Sequence, residues 1–480
     1  MATISICRFG RDLRLEDHAA LTAAAERGAV LPVLILDPAF LESLKRSPRR
    51  AAFYCSAVRA LDEALRERGS ALIVRRGAPA PLLLELAKRS GTRAVAWSRQ
   101  YGGDTMRFDT ELQSELEEAG LEAILVHDAP AIAPEQIEGP SDGIGYRAFQ
   151  PYFERWRRAS ATSYDRPLLL RFAATEIKSE PLPTPQEFAS DHLEPDVSPR
   201  LATTSLEQFL ASTALQYTTA RHVPSEDATS RLGAHFSFGV LASRTAVRAT
   251  LHRLEDPFLL NEEQLSLRLF LRSLALRDFF IQLAWFHPET DRLELQEKMR
   301  GFTFAREHPA LNAWRTGETG FALVDAGMRQ LHHTGWMHPH VRAVVASFLC
   351  FDLGIDWKIG RDEWDRLLIE DDLAIATGNW QWIAGVGADM AQYPRIYNPE
   401  RQQRRFDPDA RYVRRWIPEL AKFPSPAWQR GREIAPMLPL YEDGVYPARI
   451  LDHTSAARAF LARYRSYLTS VTGDAPPANR

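Results

Sequence analysis

Residues 316–357 read TGETGFALVDAGMRQLHHTGWMHPHVRAVVASFLCFDLGIDW, and they are followed by the acids Glu370, Asp371 and Asp372 and by GNWQW at 378–382. Apolar residues recur in this stretch at helical spacing, with aromatic, arginine and acidic residues at fixed offsets among them. A buried arginine or carboxylate is costly unless it is paired, so such a mixed interior favours a site for a flat, polar ligand over plain core. We therefore expect a large bound cofactor.

The helical pattern extends on both sides of this stretch and predicts an all-helical C-terminal domain over residues 201–480. A proline-rich, acidic segment, 174–200, lacks sustained periodicity and indicates a connector, which we place at 131–200. The long helical patterns are Glu263–Phe286, Leu323–Leu331, Val341–Asp352 and Ala456–Leu468.

Residues 1–130 alternate short apolar runs with amphipathic helical patterns, which predicts an α/β domain with a doubly wound parallel sheet. The turn after the first run, RFGRDLRLEDH, has only Gly10, so the glycine-rich dinucleotide fingerprint is absent and a nicotinamide dehydrogenase is disfavoured. The expected strands are Ile4–Cys7, Val30–Leu36, Ala71–Val74, Ala94–Trp97 and Ala123–Val126; the expected helices are Ala19–Glu26, Arg50–Arg68, Ala80–Arg89 and Thr105–Ala119.

The bulk composition is that of a multidomain globular enzyme: 480 residues, 45% hydrophobic, 25% charged, with a formal net charge of -3. Binding to a polyanion therefore requires a local patch, for which the arginines of 401–415 are candidates, although a solvated charged face is an equal alternative. Three scattered cysteines, no signal-peptide core and no apolar run long enough to span a bilayer predict a soluble, cytoplasmic protein.

Several blocks together resemble the photolyase and cryptochrome family over nearly the whole chain, including class I and class III photolyases of cyclobutane pyrimidine dimers and plant-type cryptochromes. Their order and spacing make the resemblance specific. The blocks are RFGRDLRLEDHAAL, GYRAFQPYFERW, EDATSRLGAHFSFGVLASR, LRDFFIQLAWFHPE, VDAGMRQLHHTGWMH, NWQW and RIYNPERQQRRFDPDARYVRRWIPEL.

The resemblance implies one noncovalently bound FAD in the helical domain. TSRL would bind the phosphates and ribityl chain, while simple N-capping by Thr229 or Ser230 is the alternative from the sequence alone. Arg342 is expected over the flavin ring with Asp372 opposite it, or in a salt bridge between helices, and Arg277 and Asp278 are expected to line the same cavity. The implied cofactor-binding residues are Tyr217, Thr229, Ser230, Arg231, Leu232, Gly233, Arg277, Trp336, Arg342, Glu370, Asp371, Asp372 and Ala376.

Trp380 and Trp357 match two tryptophans of the family's electron chain for photoreduction of the flavin. The third position is Phe304, whose ring is far harder to oxidise. Together with Arg342, Asp372 and Trp382, these two tryptophans form the implied catalytic set. Ordinary helix packing is the alternative for both indoles.

Residues on the implied DNA side depart from the family pattern. Ser273 and Leu276 replace a lesion-binding glutamate and a stacking tryptophan, while Pro339, Ala343 and Ala376 replace further contacts. Trp382 keeps an indole able to stack on a flipped base. The implied DNA-binding residues are Arg221, Ser273, Leu276, Pro339, His340 and Trp382.

His332, His333, His338 and His340 match no zinc motif, so no metal is expected. The implied function is a blue-light-driven photolyase that splits cyclobutane pyrimidine dimers in damaged DNA by electron transfer from reduced FAD. The alternative is a cryptochrome-like photoreceptor with a signalling partner, although the short C-terminal segment lacks the longer tail expected of the plant type. A dark redox flavoprotein has little support. We expect a monomer, with room for an antenna chromophore of unknown identity in the α/β domain.

Overall fold

The protein is described by a computed structural model over residues 3–137, 139, 143–159, 170–190, 195–226, 228–389, 394–422 and 446–472. Contacts divide the chain into two compact units, each discontinuous in sequence. Unit 1 comprises Met1–Thr218, Thr229–Asp291 and Leu368–Ile375; unit 2 comprises Thr219–Ala228, Arg292–Leu367 and Ala376–Arg480. The helices that follow residue 200 are therefore distributed over both units. The predicted domains, by contrast, are continuous in sequence, and their limits stay a prediction.

Five strands of unit 1 form one parallel sheet. They are β1 (Ile4–Phe9), β2 (Ala29–Leu36), β3 (Ile73–Arg76), β4 (Ala94–Ser98) and β5 (Glu122–Val126). The spatial order is β3-β2-β1-β4-β5, with Ile6 of β1 paired to Leu31 on one side and Val95 on the other. The order reverses at β1, so the predicted doubly wound sheet is confirmed.

Helices between the strands cover the sheet, as the alternation predicted. These are α1 (Ala19–Ala25), α2 (Pro38–Arg46), α3 (Pro48–Arg66), α4 (Pro79–Ser90) and α5 (Gly103–Glu118). Helix α2 was not predicted from the sequence, although its start was readable. The Asp37 side chain accepts a hydrogen bond from the Phe40 N-H at 2.9 Å, and Pro38 occupies the first helical position.

The predicted connector is fixed to unit 1 over its described part. The Ser179 hydroxyl accepts from the Val74 N-H at 2.9 Å, and the Glu180 N-H donates to the Val74 carbonyl at 3.2 Å. Farther on, the Ser56 hydroxyl donates to the Pro195 carbonyl at 2.6 Å. These three hydrogen bonds tie residues 179, 180 and 195 to the α/β region.

The remaining helices confirm the helical character predicted for the second part. In unit 1 they are α6 (Phe149–Trp156), α7 (Pro199–Ala211), α9 (Gly233–Ser237), α10 (Ser243–Leu254) and α11 (Asn261–Phe286). In unit 2 they are α12 (Leu311–Thr316), α13 (Ala322–Thr334), α14 (Pro339–Ser347), α15 (Trp357–Leu367), α17 (Pro399–Phe406), α18 (Arg411–Trp416) and α19 (His453–Thr472). Two helices, α8 (Tyr217–Ala220) and α16 (Leu373–Ala384), contribute residues to both units. The expected helix Val341–Asp352 consists of part of α14 followed by a π-helical turn, Phe348–Asp352.

None of the helices in the described ranges is long and apolar enough to cross a bilayer.

The turn after β1 is filled by buried ion pairs rather than by a phosphate-binding loop. Arg14 donates to both oxygens of Asp128 at 2.8 Å, and Arg244 of α10 pairs with Asp128 at 2.6 Å and with Asp17 at 2.7 Å. Burial raises the pKa of Asp128, but Arg14 and Arg244 outweigh it and hold that pKa well below its ordinary value. The RDLRLEDH motif therefore has a structural role.

Candidate functional site

The TSRL loop of unit 1 does not cap a helix with its hydroxyls. The following helix, α9, begins at Gly233, and its N-cap is Leu232, which makes no side-chain capping bond. The N-cap interpretation of Thr229 or Ser230 is therefore wrong, because the chain continues through Arg231 with a left-handed φ of 53° before the helix starts. The buried Thr229 Oγ1 has no hydrogen-bond partner among the described residues. A buried hydroxyl without a protein partner is suited to form a hydrogen bond with an oxygen atom of a ligand.

Gly233 lies directly against the carboxylate run, which we define as Glu370, Asp371 and Asp372. A Cβ atom added at Gly233 would stand 2.4 Å from the Glu370 Oε1, closer than any side chain can approach. The absence of a side chain at Gly233 therefore brings the TSRL loop and the first acid of the run together.

Asp372, the last acid of the run, forms an ion pair with Arg277 of α11. The Arg277 Nη1 donates to the Asp372 Oδ2 at 2.7 Å, and both side chains are largely buried. The buried Arg277 Nε has no partner among the described residues, so this guanidinium retains a donor for a ligand. Within unit 1, the structure thus gives Asp372 an arginine partner on α11.

Ser273 lies one helical turn before Arg277 on α11. Its hydroxyl donates to the Leu269 carbonyl at 3.0 Å and lies 3.4 Å from the Tyr217 hydroxyl. Ser273 was predicted to contact DNA and Tyr217 to contact FAD, and the two side chains are neighbours beside α11. The loop 229–233, the carboxylate run, Tyr217 and the α11 face form one polar cluster in unit 1.

Arg50 of α3 holds the backbone that leads into the carboxylate run. It donates to the Leu368 carbonyl at 3.2 Å and to the Glu370 carbonyl at 3.1 Å, and the Ser47 hydroxyl donates to Leu368 at 3.3 Å. The Arg50 side chain is only 1% exposed. Arg50 was not predicted from the sequence, because its partners lie far along the chain and no local signal links them.

Asp278 has a structural role rather than the cavity role expected beside Arg277. Its carboxylate accepts from the Ala131 and Ile132 N-H groups at 3.0 and 3.1 Å and from the Trp156 indole at 2.8 Å. Burial raises the pKa of Asp278 to about 6 against these three donors. Both carboxylate oxygens of Asp278 thus anchor the chain beyond β5. Adjacent residues of a helix point in different directions, so Asp278 and Arg277 have different partners.

The two tryptophans of the implied electron chain are buried in unit 2. Trp357 is 0% exposed, and its indole N-H donates to the Glu294 carboxylate at 3.2 Å. Trp380 is 3% exposed. Phe304 is also buried and packs edge-on against Phe302 at 4.9 Å between ring centroids.

A third indole, Trp364, stands beside Trp380 with ring centroids 4.5 Å apart. Trp364 was not predicted as a site residue. A readable signal existed, since Trp364 follows Trp357 by two helical turns and so lies on the same face of α15.

The implied DNA residues of unit 2 differ in exposure. Trp382 is 41% exposed and Pro339 is exposed, while His340 is partly buried and bonds to the Gln402 side chain at 3.0 Å. Burial, with Arg405 and Arg221 nearby, lowers the pKa of His340 to about 4, so its ring is neutral at physiological pH. Of these residues, the exposed Trp382 indole is the best suited to stack on a base.

Two other cofactor candidates of unit 2 lie around the start of α14. The Arg342 Nε donates to the Met337 carbonyl at 2.8 Å. The Trp336 indole meets the His338 ring edge-on, with 6.1 Å between ring centroids. Arg221 and Ala376 are partly buried residues of this unit, and Leu276 is a partly buried residue of unit 1.

Asp12, His18 and Asp128 bring three possible metal-ligand atoms within 4.8 Å of one another. The carboxylates already accept hydrogen bonds, since Asp128 binds two arginines and Asp12 accepts from the Ser98 hydroxyl and the Gly10 N-H. Of the four histidines noted above, His338 is buried and accepts from the His340 N-H at 3.2 Å, while His332 and His333 are exposed.

A family model described as the FAD binding domain of DNA photolyase matches residues 270–466, and a model described as DNA photolyase matches residues 5–176. The deoxyribodipyrimidine photo-lyase of Halobacterium salinarum is 32% identical over 471 residues, covering 95% of this chain and 97% of the relative. The chain belongs to the DNA photolyase family.

Solved structures agree with this assignment. A bacterial class III photolyase from Agrobacterium tumefaciens is 30% identical, with a TM-score of 0.84 and coverage of 98% of both chains. A Synechocystis cryptochrome, 24% identical, has the same fold with a TM-score of 0.86 and coverage of 96% of this chain and 99% of that one. Since the backbone matches both classes equally well, individual residues must separate repair from photoreception.

Proposed function

We propose that this chain is a blue-light-driven, FAD-dependent DNA photolyase that splits cyclobutane pyrimidine dimers. The observation that carries the proposal is the match over 95% of the chain to a deoxyribodipyrimidine photo-lyase, together with the FAD-binding match over 270–466. The reaction breaks carbon-carbon bonds in a flipped lesion, so it requires no hydrolytic nucleophile.

FAD, when bound and reduced, supplies the absorption of blue light and the electron that opens the dimer. The Thr229 hydroxyl would donate to a phosphate oxygen, because its buried Oγ1 lacks a partner among the described residues. Arg277 would present a fixed positive charge while remaining paired to Asp372. The other residues of the proposed cofactor set lie in both units. They are Tyr217, Ser230, Arg231, Leu232, Gly233, Glu370 and Asp371 in unit 1, and Trp336, Arg342 and Ala376 in unit 2.

Trp380 and Trp357 would keep the cofactor reduced by passing electrons toward it. The Trp357 indole is paired with Glu294, which can accept its proton when the ring is oxidised. Phe304 sits in a cluster of phenylalanine rings and does not offer an oxidisable side chain at the third position.

Trp382 would stack on the flipped lesion, since it presents 41% of its surface to solvent. Arg221 would bind a DNA phosphate, and Ser273, Leu276, Pro339 and His340 would line the lesion. Because the net charge is -3, binding to the DNA backbone must rely on a local basic surface, for which the arginines of 401–415 are candidates.

A cryptochrome-like photoreceptor is the second candidate, and the lesion-side substitutions favour it. The Ser273 hydroxyl is already bonded to the Leu269 carbonyl, and Leu276 offers no aromatic face. A protein partner would then replace DNA. For either function we propose a cytoplasmic monomer, with the α/β region as the site of any second chromophore.

The test is repair of dimer-containing single-stranded DNA by the reduced holoprotein under blue light, with a dark sample as control. Loss of dimers that depends on light supports the photolyase. If saturating protein with full FAD content leaves the dimers intact, the repair function is excluded and the photoreceptor stands.

A further inference from the structure

One stripe of α11 in unit 1 stays unburied between residues 265 and 277, while the other side chains of this part of the helix are buried. The stripe consists of Leu265, Arg268, Leu269, Arg272, Ser273, Leu276 and Arg277. Because these positions recur at helical spacing, they share one side of α11. Arg268 and Arg272 therefore lie on the same side as Ser273 and Leu276, the two residues of α11 proposed to line the lesion.

Arg272 is held in place by aromatic rings rather than by an acid. Its guanidinium carbon lies 4.5 Å from the ring centroid of Phe149 and 5.0 Å from that of Phe153, both on α6. Its Nη1 donates to the side-chain oxygen of Gln150 at 2.9 Å. No carboxylate in the described part of the chain pairs with Arg272. The guanidinium is thus fixed in orientation while its positive charge stays uncompensated.

Arg268, one helical turn before Arg272, also contacts a glutamine. It is exposed, its Nη2 donates to the Gln264 side-chain oxygen at 3.3 Å, and among the described residues it has no acidic partner. The Gln150 amide donates to Glu154 at 2.9 Å, but this acid is already paired with Arg157 at 2.9 Å. In a chain with a net charge of -3, two neighbouring arginines held by neutral amides form a local positive patch.

We propose that Arg268 and Arg272 bind backbone phosphates of the DNA that flanks the lesion, an inference that rests on the proposed photolyase function. The two residues are four positions apart, a rise of about 6 Å along the helix, so each guanidinium can bind a separate phosphate. Arg272 loses little freedom on binding, because its stacking already fixes it. The continuation of the stripe into Ser273 and Leu276 favours DNA over an acidic protein segment. The patch adds affinity without sequence preference, since phosphate contacts do not read bases.

The experiment measures binding of the holoprotein in the dark to a duplex with one dimer and to the same duplex without it, between about 50 and 200 mM salt. Arg268→Gln and Arg272→Gln should each weaken binding to both duplexes by about tenfold at the lowest salt. The slope of log affinity against log salt should become shallower by about 0.9 for each change, and by about twice as much in the double variant. Arg89→Gln is the matched control, because Arg89 is exposed on α4 and contacts the residue four positions before it, which is the acid Glu85. The control should keep the wild-type affinity and slope.

The salt slope separates phosphate binding from a purely structural role of Arg272 between α6 and α11. With a structural role alone, Arg272→Gln would lower the free energy of unfolding and leave the slope unchanged, and Arg268→Gln would alter neither quantity. The inference is overturned if both variants keep the wild-type slope, or if the wild type binds neither duplex. Illumination of the same wild-type samples tests the photolyase function separately. If the two arginines set the slope but no dimers are lost in blue light, the phosphate patch stands and the repair function fails.

Discussion

Arg11 and Asp371 form an ion pair in unit 1, with the Arg11 Nη2 2.6 Å from the Asp371 Oδ2. Arg11 also donates to the Asp371 backbone carbonyl, and the Arg50 Nη1 lies 3.6 Å from the other carboxylate oxygen. Burial raises the pKa of Asp371, but Arg11 and Arg50 outweigh it and hold the pKa below its ordinary value. Asp371, the middle acid of the carboxylate run, is thus held by two arginines of the α/β region. Glu370 lies against Gly233, and Asp372 pairs with Arg277.

Changing Arg11 to Gln should weaken FAD binding by about tenfold, because Asp371 loses one of its two arginine partners, Arg11 and Arg50. The unfolding free energy should fall by only about 1 kcal/mol, since Arg11 is partly exposed. Titration of the apoprotein with FAD measures the first effect, and denaturant unfolding measures the second. Arg68→Gln breaks an exposed ion pair with Glu16 and should leave FAD affinity unchanged. Equal affinity in Arg11→Gln and wild type would show that the anchor does not matter for the cofactor.

Changing Gly233 to Ala should lower the FAD content of the purified protein. The new Cβ would stand 2.4 Å from the Glu370 carboxylate, which must then move away from the TSRL loop. The ratio of flavin to protein absorbance provides the measurement. Gly10→Ala is the matched control, because a Cβ at Gly10 meets nothing within 4 Å. A normal flavin ratio in Gly233→Ala would contradict the placement of Glu370 beside the cofactor.

The contribution of Asp278 to stability should decrease as pH rises. Its pKa is raised from 3.8 to about 6 in the folded protein, so between these values the folded state holds a proton that the unfolded state releases. The favourable contribution is therefore complete below about pH 4 and lost above about pH 6, a difference of about 3 kcal/mol. Unfolding free energies of wild type and Asp278→Asn across this range should differ in slope. Parallel curves would mean that Asp278 is already ionised at low pH.

Changing Trp382 to Ala should weaken binding of dimer-containing DNA by about 1–3 kcal/mol through loss of base stacking. Binding of undamaged DNA and FAD content should change little, because the indole is exposed and lies outside the proposed cofactor set. Dissociation constants measured in the dark for damaged and undamaged oligonucleotides test this. Phe258→Ala, at a 90% exposed ring of unit 1, is the control. The same affinity for damaged DNA in Trp382→Ala and wild type would remove Trp382 from the lesion site.

The order of strands and helices could be predicted because burial imposes its period on neighbouring residues. The observed strands begin within two residues of the apolar runs, as with β1 at Ile4 and β4 at Ala94. Family membership was equally accessible, since motif blocks such as TSRL and NWQW are contiguous in the chain. The short helix α2 was missed although its Asp37 cap and Pro38 were visible, because the helix is short and only one of its residues is buried.

The sequence by itself determined the doubly wound sheet, the helical second part and the likeness to a FAD-binding family. Only the tertiary structure decided that Asp371 pairs with Arg11, that Asp372 pairs with Arg277, and that Asp278 anchors a loop. The reason is physical: periodicity and capping are local and leave a mark in adjacent residues, whereas any of 59 basic residues could neutralise a given acid. Which one does so depends on where the folded backbone places it.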